Sequence, residues 1–226
     1  MSGDHSDGAV ARRVRRLETL LEEKGLLTGG ELDETIDAFL SGASPASGAR
    51  VVARAWTDPA YKARLLADGT AAVRELGFME GAYQRLRVVE NTETTHNVIV
   101  CTLCSCYPLR LLGPSPSWYK SEAYRSRVVR EPRAVLAEFG LRLPDDTDIT
   151  VWDSSAETRY MVLPRRPEGT ETLTEEELAG LVTRYALIGT AAVQAVTTPA
   201  PSRSVPRPGR AAPPASPSPA PARSTD

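Results

Sequence analysis

All three cysteines of this 226-residue chain, Cys101, Cys104 and Cys106, fall in one short window that opens directly after the β-branched run THNVIV. Cysteines that only pack or staple a fold scatter along a sequence. Three in C-T-L-C-S-C read instead as one chemical group, which the fold must hold still at the end of a strand. The first residues, MSGDHSDGAVARR, lack the apolar core of a secretory signal, and no apolar run reaches the length of a membrane span. A soluble cytoplasmic chain with no membrane partner is therefore expected. In that reducing compartment an odd number of close cysteines suits metal binding or catalysis better than a disulfide framework. With 27 Lys and Arg against 29 Asp and Glu, the net charge of -2 gives no reason to expect a nucleic-acid partner.

The remainder reads as helices, then strands, then a mixture. Val10, Val14, Leu17 and Leu21 recur at helical spacing up to Gly25, and a second short helix is expected at about 31–40, ending in the loop SGASPASG. Asp58-Pro59 is a helix-start signal, with a weak point at Asp68-Gly69 before Gly77. LRVVEN and THNVIVC are β-branched runs that suggest paired strands, and DITVWD and TRYMVL suggest two more. Between them LLGPSPSWYK reads as irregular, with helices expected from Ser121 and from Pro132 to Gly140. Thr174 and Glu177 have capping-box spacing, so a last helix is expected from there to Leu187. Residues 198–226 hold nine of the 18 prolines with four arginines and one acid, a composition too poor in apolar surface to offset chain entropy; a disordered Pro/Ala-rich tail is expected.

Zinc and redox readings compete for the cysteines. A structural zinc site wants four ligands, and His96 is the one nearby residue that could complete the set, though it precedes the cluster in a strand. A redox Cys101-x-x-Cys104 is weakened by the third thiol and by Pro108. The tight Cys104-Ser105-Cys106 spacing permits another arrangement. A metal bound to the sulfurs can also displace the amide protons of Ser105 and Cys106, giving a claw of three sulfurs and two nitrogens with a sixth position open. Such strong anionic donors favour a trivalent low-spin ion, cobalt or iron, over zinc. An open position on that ion is a Lewis-acid site.

At these residues the sequence resembles the nitrile hydratase α subunit. The likeness extends from about Val10 to Ile188 through ARVVARAWTDPAYKARLL, VVENT, HNVIVCTLCSCYP, WYKSEAYRSRVVREPRAVLAEFG and VWDSSAETRYMVLPRRP. It implies an α+β fold: a four-layer α/β/β/α domain with mixed sheets over 49–197, preceded by an N-terminal helical arm over 1–48 that contacts a β subunit. It implies one Co(III) per chain, with Fe(III) the alternative, bound by the sulfurs of Cys101, Cys104 and Cys106 and by the main-chain nitrogens of Ser105 and Cys106. Thr102 matches the cobalt enzymes, whose motif is C-T-L-C-S-C. Cys104 is expected as sulfinic acid and Cys106 as sulfenic acid, rungs of the cysteine oxidation ladder. Cys104, Ser105 and Cys106 are the expected catalytic group: water or the Cys106 sulfenate oxygen attacks the carbon of a polarised nitrile to give an amide. The implied partners are a β subunit supplying arginines to the cysteine oxygens, a metal-insertion activator or chaperone, and a small nitrile.

The resemblance also implies an outer shell of Asp153, Glu157 and Arg159, with a surface ion cluster as the plainer reading, and a pocket lined by Tyr107, Leu109 and Arg110. The chain departs from the family there. CYPLRLLGPSP stands where CYPWPVLGLPP is usual, so Leu109 replaces a pocket tryptophan and Arg110 a proline. Leucine leaves room for a differently shaped substrate, and an inward Arg110 favours an anion. That keeps the thiocyanate hydrolase γ subunit, a close relative, as the alternative, beside a non-catalytic zinc or redox interaction subunit.

Overall fold

A computed structural model describes residues 4–79, 84–104 and 106–195, so Ser105 and the expected tail from 198 lie outside the described residues. The architecture mixes helices with two small parallel sheets. Two helices come first, α1 (Asp4–Glu23) and α2 (Gly29–Ser41), close to the expected bounds. Gly25, at φ 64, takes the left-handed backbone that follows the end of α1. The apolar stripe of α1 is not covered by the chain's own core: Val10, Val14, Leu17 and Leu20 are 42% to 57% exposed.

A helix then begins inside the stretch read as a loop. In α3 (Pro45–Thr57) the Ser44 side chain accepts from the Ala46 amide and Pro45 occupies the first turn, so the proline starts a helix and does not extend the loop. Its Val51, Val52 and Ala55 are buried. The Asp58 carboxylate caps α4 (Pro59–Ala67) by accepting from the Tyr61 amide at 2.9 Å. The expected weak point at Asp68 is a break, where Asp68 caps α5 (Gly69–Glu75) through the Ala71 amide at 3.0 Å.

The four expected strands form, β1 (Arg85–Glu90), β2 (Thr95–Val100), β3 (Asp148–Asp153) and β4 (Thr158–Leu163). Their pairing differs from expectation. The two adjacent runs do not pair with each other: β1 pairs with β4, Val88 opposite Met161, and β2 with β3, Val100 opposite Asp153. Both pairings are parallel, so the sheets are not mixed. The reason lies at the corner between β1 and β2. Asn91 is buried there, and its Oδ1 accepts from the Asn97 amide at 2.7 Å and from the Asn97 side chain at 3.0 Å. Those bonds satisfy groups that a hairpin ladder would have used, and they turn the chain into the second sheet.

After the cysteines, the stretch read as irregular contains a short helix, α6 (Leu109–Leu112), and a 3-10 turn at Ser117–Lys120. Next come α7 (Glu122–Val128), capped by Ser121, and α8 (Pro132–Glu138), both as expected. The capping box at Thr174 and Glu177 opens α9 (Glu175–Leu181). That helix stops short of Leu187, because Val182 takes extended backbone and Thr183 caps a separate α10 (Arg184–Ile188).

His96 ties this last helix to β2. Its Nε2 lies 2.7 Å from the Gly189 carbonyl and its Nδ1 3.2 Å from Nδ2 of the Asn91 side chain, a pairing that suits the neutral ring with Nε2 donating. Burial holds its pKa below the ordinary histidine value. Gly189 has φ 91, and a Cβ there would collide with the Asn97 carbonyl oxygen.

Two outcomes follow from this corner. Gly189→Ala should lower unfolding free energy by roughly 2–5 kcal/mol in urea titration, combining left-handed strain with overpacking; an unchanged midpoint would refute the close approach. Because His96 is depressed in the fold, its contribution is present above the unfolded value of about 6.5 and is lost as pH falls below it. The urea midpoint should therefore drop between about pH 7.5 and 5.5, where carboxylates stay ionised, and the drop should shrink in His96→Gln.

Candidate metal centre

β2 ends at Val100, and the chain bends at once into the cysteine loop. Cys101 is buried at 1% exposure, Cys106 half-buried and Cys104 exposed. The three sulfurs lie within 4.8 Å of one another, Cys101 Sγ 3.3 Å from Cys104 Sγ and Cys104 Sγ 3.1 Å from Cys106 Sγ. Two sulfurs bound at about 2.3 Å from one ion stand ~3.8 Å apart at the tetrahedral angle and ~3.3 Å apart at a right angle. Both measured separations match the right angle. The donors therefore fit an octahedral or square arrangement better than tetrahedral zinc. His96 is not a fourth ligand: both its ring nitrogens are engaged by Asn91 and Gly189.

Burial first, then the Cys104 thiol, push the Cys106 pKa up to about 12, with the Arg159 charge pulling the other way. A bound cation reverses that balance by stabilising the thiolates.

The loop is held from three sides. Asp153, at the end of β3, accepts from the Thr102 amide at 2.9 Å and from the Thr102 hydroxyl at 2.5 Å. The next amide, that of Ser154, donates to the Val100 carbonyl at 2.7 Å. Tyr119, fully buried, donates its hydroxyl to the Cys106 carbonyl at 3.1 Å, and Arg125 Nη1 reaches the carbonyls of Thr102 and Cys104 at 3.2 and 3.4 Å. Neither Tyr119 nor Arg125 was singled out from the sequence. Both belong to WYKSEAYR, where nothing in the local pattern shows that the turn and α7 fold back onto the cysteines.

The remaining expected residues are placed as follows. Arg159 lies close enough to Cys106 for its charge to favour the thiolate, and it donates to the Ser155 carbonyl. Glu157 accepts from the Ser155 hydroxyl at 2.9 Å, so it braces the turn on which Arg159 leans and does not touch the cysteines directly. Tyr107 is buried with its ring edge-on to Tyr119 at 4.9 Å, and its hydroxyl has no hydrogen-bond partner among the described residues. Leu109 and Arg110 form the first turn of α6, both partly buried, Leu109 against the core. Ser105 is outside the described residues. Leu103, at the tip of the loop, is 90% exposed, and of the three cysteines Cys104, next to it, is the exposed one.

The profile of the family described as "Nitrile hydratase, alpha chain" matches residues 8–191. The chain is 52% identical over 194 residues to the low-molecular weight cobalt-containing nitrile hydratase subunit alpha of Rhodococcus rhodochrous, covering 86% of this chain and 92% of that one. It is 46% identical over 180 residues to the thiocyanate hydrolase subunit gamma of Thiobacillus thioparus, covering 75% and 74%. Among solved structures, a variant of the Fe-type nitrile hydratase from Comamonas testosteroni Ni1 superposes with a TM-score of 0.75 at 45% identity, covering 88% of this chain and 97% of that one.

Because cysteines bind metal as thiolates, and burial holds the proton on Cys106, metal uptake should release protons, and apparent cobalt affinity should rise about tenfold per pH unit for each proton displaced. Calorimetry in buffers of different ionisation enthalpy measures the number directly. No proton release on binding would show that the cysteines are not the ligands.

Proposed function

This chain belongs to the nitrile hydratase alpha chain family, and we infer from its site that it is the metal-holding subunit of a nitrile hydratase, hydrating nitriles to amides. The observation that carries this is the cysteine triad: three clustered sulfurs, with Cys104 at right-angle separations from both Cys101 and Cys106, on the C-T-L-C-S-C motif, in a chain half identical to named cobalt-containing subunits. The ion is cobalt, held by the sulfurs of Cys101, Cys104 and Cys106 and by the main-chain nitrogens of Ser105 and Cys106. When bound as Co(III), it supplies Lewis acidity toward a nitrile nitrogen. The four-layer α/β/β/α arrangement of the family, a metal-insertion activator and a cytoplasmic setting complete the reading.

The residues divide the work. Cys101, sealed from solvent, anchors the ion to the end of β2. Cys104 as sulfinic acid and Cys106 as sulfenic acid carry oxygens on the outward side, and the Cys106 oxygen is the one that meets the nitrile carbon or the water adding to it. Ser105 offers a hydroxyl to the substrate side. Asp153 fixes the loop through Thr102, while Arg159, braced through Ser155 and Glu157, places positive charge beside Cys106. Tyr107 supports the pocket from within the core, and Leu109 and Arg110 set its shape and charge.

A β subunit supplies the facing wall and arginines for the cysteine oxygens. The exposed stripe of Val10, Val14, Leu17 and Leu20 on α1 fits an arm that packs on that partner. Thiocyanate hydrolysis is the second reading, favoured by the similarity to the gamma subunit and by Arg110 beside the motif.

The test is co-expression with the neighbouring β subunit, elemental analysis, intact mass and assay on aliphatic nitriles, aromatic nitriles and thiocyanate. About one cobalt per chain, three added oxygens on the 101–106 peptide and amide formation are expected. Cys106→Ser should lower kcat by about two orders of magnitude or more. Turnover of thiocyanate alone would transfer the chain to the second reading; zinc, or no metal with unmodified thiols, would overturn both.

A further inference from the structure

Arg125 is the guanidinium on α7 that turns toward the cysteine loop. Arg127, two residues later, pairs with Glu131 and Glu138, and Arg130 donates to the Ser126 carbonyl. Arg125 forms no ion pair with a described carboxylate. Its Nη1 serves both the Thr102 and the Cys104 carbonyls, and its Nε is buried without a hydrogen bond. A partly desolvated cation without an acid is costly unless an anionic group shares its surroundings. Cysteine thiolates gathered around an ion are such a group.

The contacts fall on the backbone, and this determines what they can do. A peptide unit is planar and trans, so holding the Cys104 carbonyl sets the plane in which the following amide nitrogen lies. The Tyr119 hydroxyl holds the Cys106 carbonyl at the other end of the motif, and Tyr124, adjacent to Arg125, donates to the Ile99 carbonyl at 2.8 Å, docking α7 against β2. Carbonyls before the motif, within it and at its last residue thus receive donors from the single segment 119–125. Resting on the metal-centre reading above, we propose that Arg125 is a positioning residue: it orients the peptide units of the cysteine loop so that sulfur and nitrogen donors converge, and it thereby governs how firmly cobalt is retained.

The experiment uses the full chain co-purified with its β subunit as wild type, Arg125→Met and Arg125→Lys. Cobalt per chain, the rate of cobalt release to a chelator under thiol reductant, the sulfur-to-metal absorption band, the thermal midpoint and nitrile kcat are measured, with and without added guanidinium. Arg125→Met should release cobalt about tenfold to a hundredfold faster, with a shifted band. The thermal midpoint of its metal-free form should stay near that of metal-free wild type. Arg125→Lys should be intermediate, and guanidinium should slow release from the methionine variant alone. Release from Arg125→Met at the wild-type rate would overturn the proposal. If that variant does not accumulate, Arg125→Lys decides: faster release with an intact thermal midpoint supports the clamp, and wild-type release refutes it. A wild-type complex without cobalt would overturn the metal reading itself, and the clamp with it.

Discussion

The parallel pairing of β2 with β3 is the constraint on which the site depends. Parallel strands finish at the same edge, so the loop after Val100 and the turn after Asp153 emerge side by side. The register, with Val100 opposite Asp153, then delivers a carboxylate to the first residues of the cysteine loop and lets the Ser154 amide cap the Val100 carbonyl. An antiparallel partner would have sent one of those loops to the far end of the sheet. Ligand sites beyond the carboxyl ends of parallel strands are a recurrent use of this geometry. Here the strands are only two, and the helices and the 119–125 segment supply the remaining walls.

Behind that edge sits a buried polar network. Asn91, His96 and Asn97 are each less than a tenth exposed, and Trp152 on β3 donates its indole N–H to Asn97 Oδ1 at 2.8 Å. Such groups are costly unless matched, and the bonds from Asn97 to Asn91, from Trp152 to Asn97 and from His96 to Gly189 match them. The network joins the corner of β1 and β2 to β3 and to the end of α10. β2 is thereby fixed at its start by side-chain amides and at its end by Asp153 and Ser154. The cysteine loop inherits the rigidity of both ends.

Much of this was legible in the sequence because it is local. Asp58-Pro59, Ser121 and the Thr174–Glu177 pair announce helix starts through residues that touch their own neighbours, and the structure has helices at each. The cysteine spacing likewise carries its own chemistry. What was not legible depends on distant partners. Two β-branched runs separated by a few polar residues look like a hairpin until Asn91 is seen to be buried, and its burial depends on α10 and β3. Pro45 after a run of small residues looks like a loop until Ser44 is seen to cap. Arg125 lies in an arginine-rich stretch, and only its bonds to Thr102 and Cys104 distinguish it from Arg127 in the same helix and from Arg130 just after it. The family resemblance supplied the role of Asp153, but its two bonds to Thr102 appear only in three dimensions.

The three cysteines differ most in their access to water. Cys101 is sealed, Cys106 half-covered and Cys104 open. The susceptibility of a cysteine to oxidation follows its thiolate character and its exposure. A small oxidant reaches Cys104 first, Cys106 less often and Cys101 hardly at all. Graded exposure thus ranks the three sulfurs by their access to any small solute, without a separate recognition element for each.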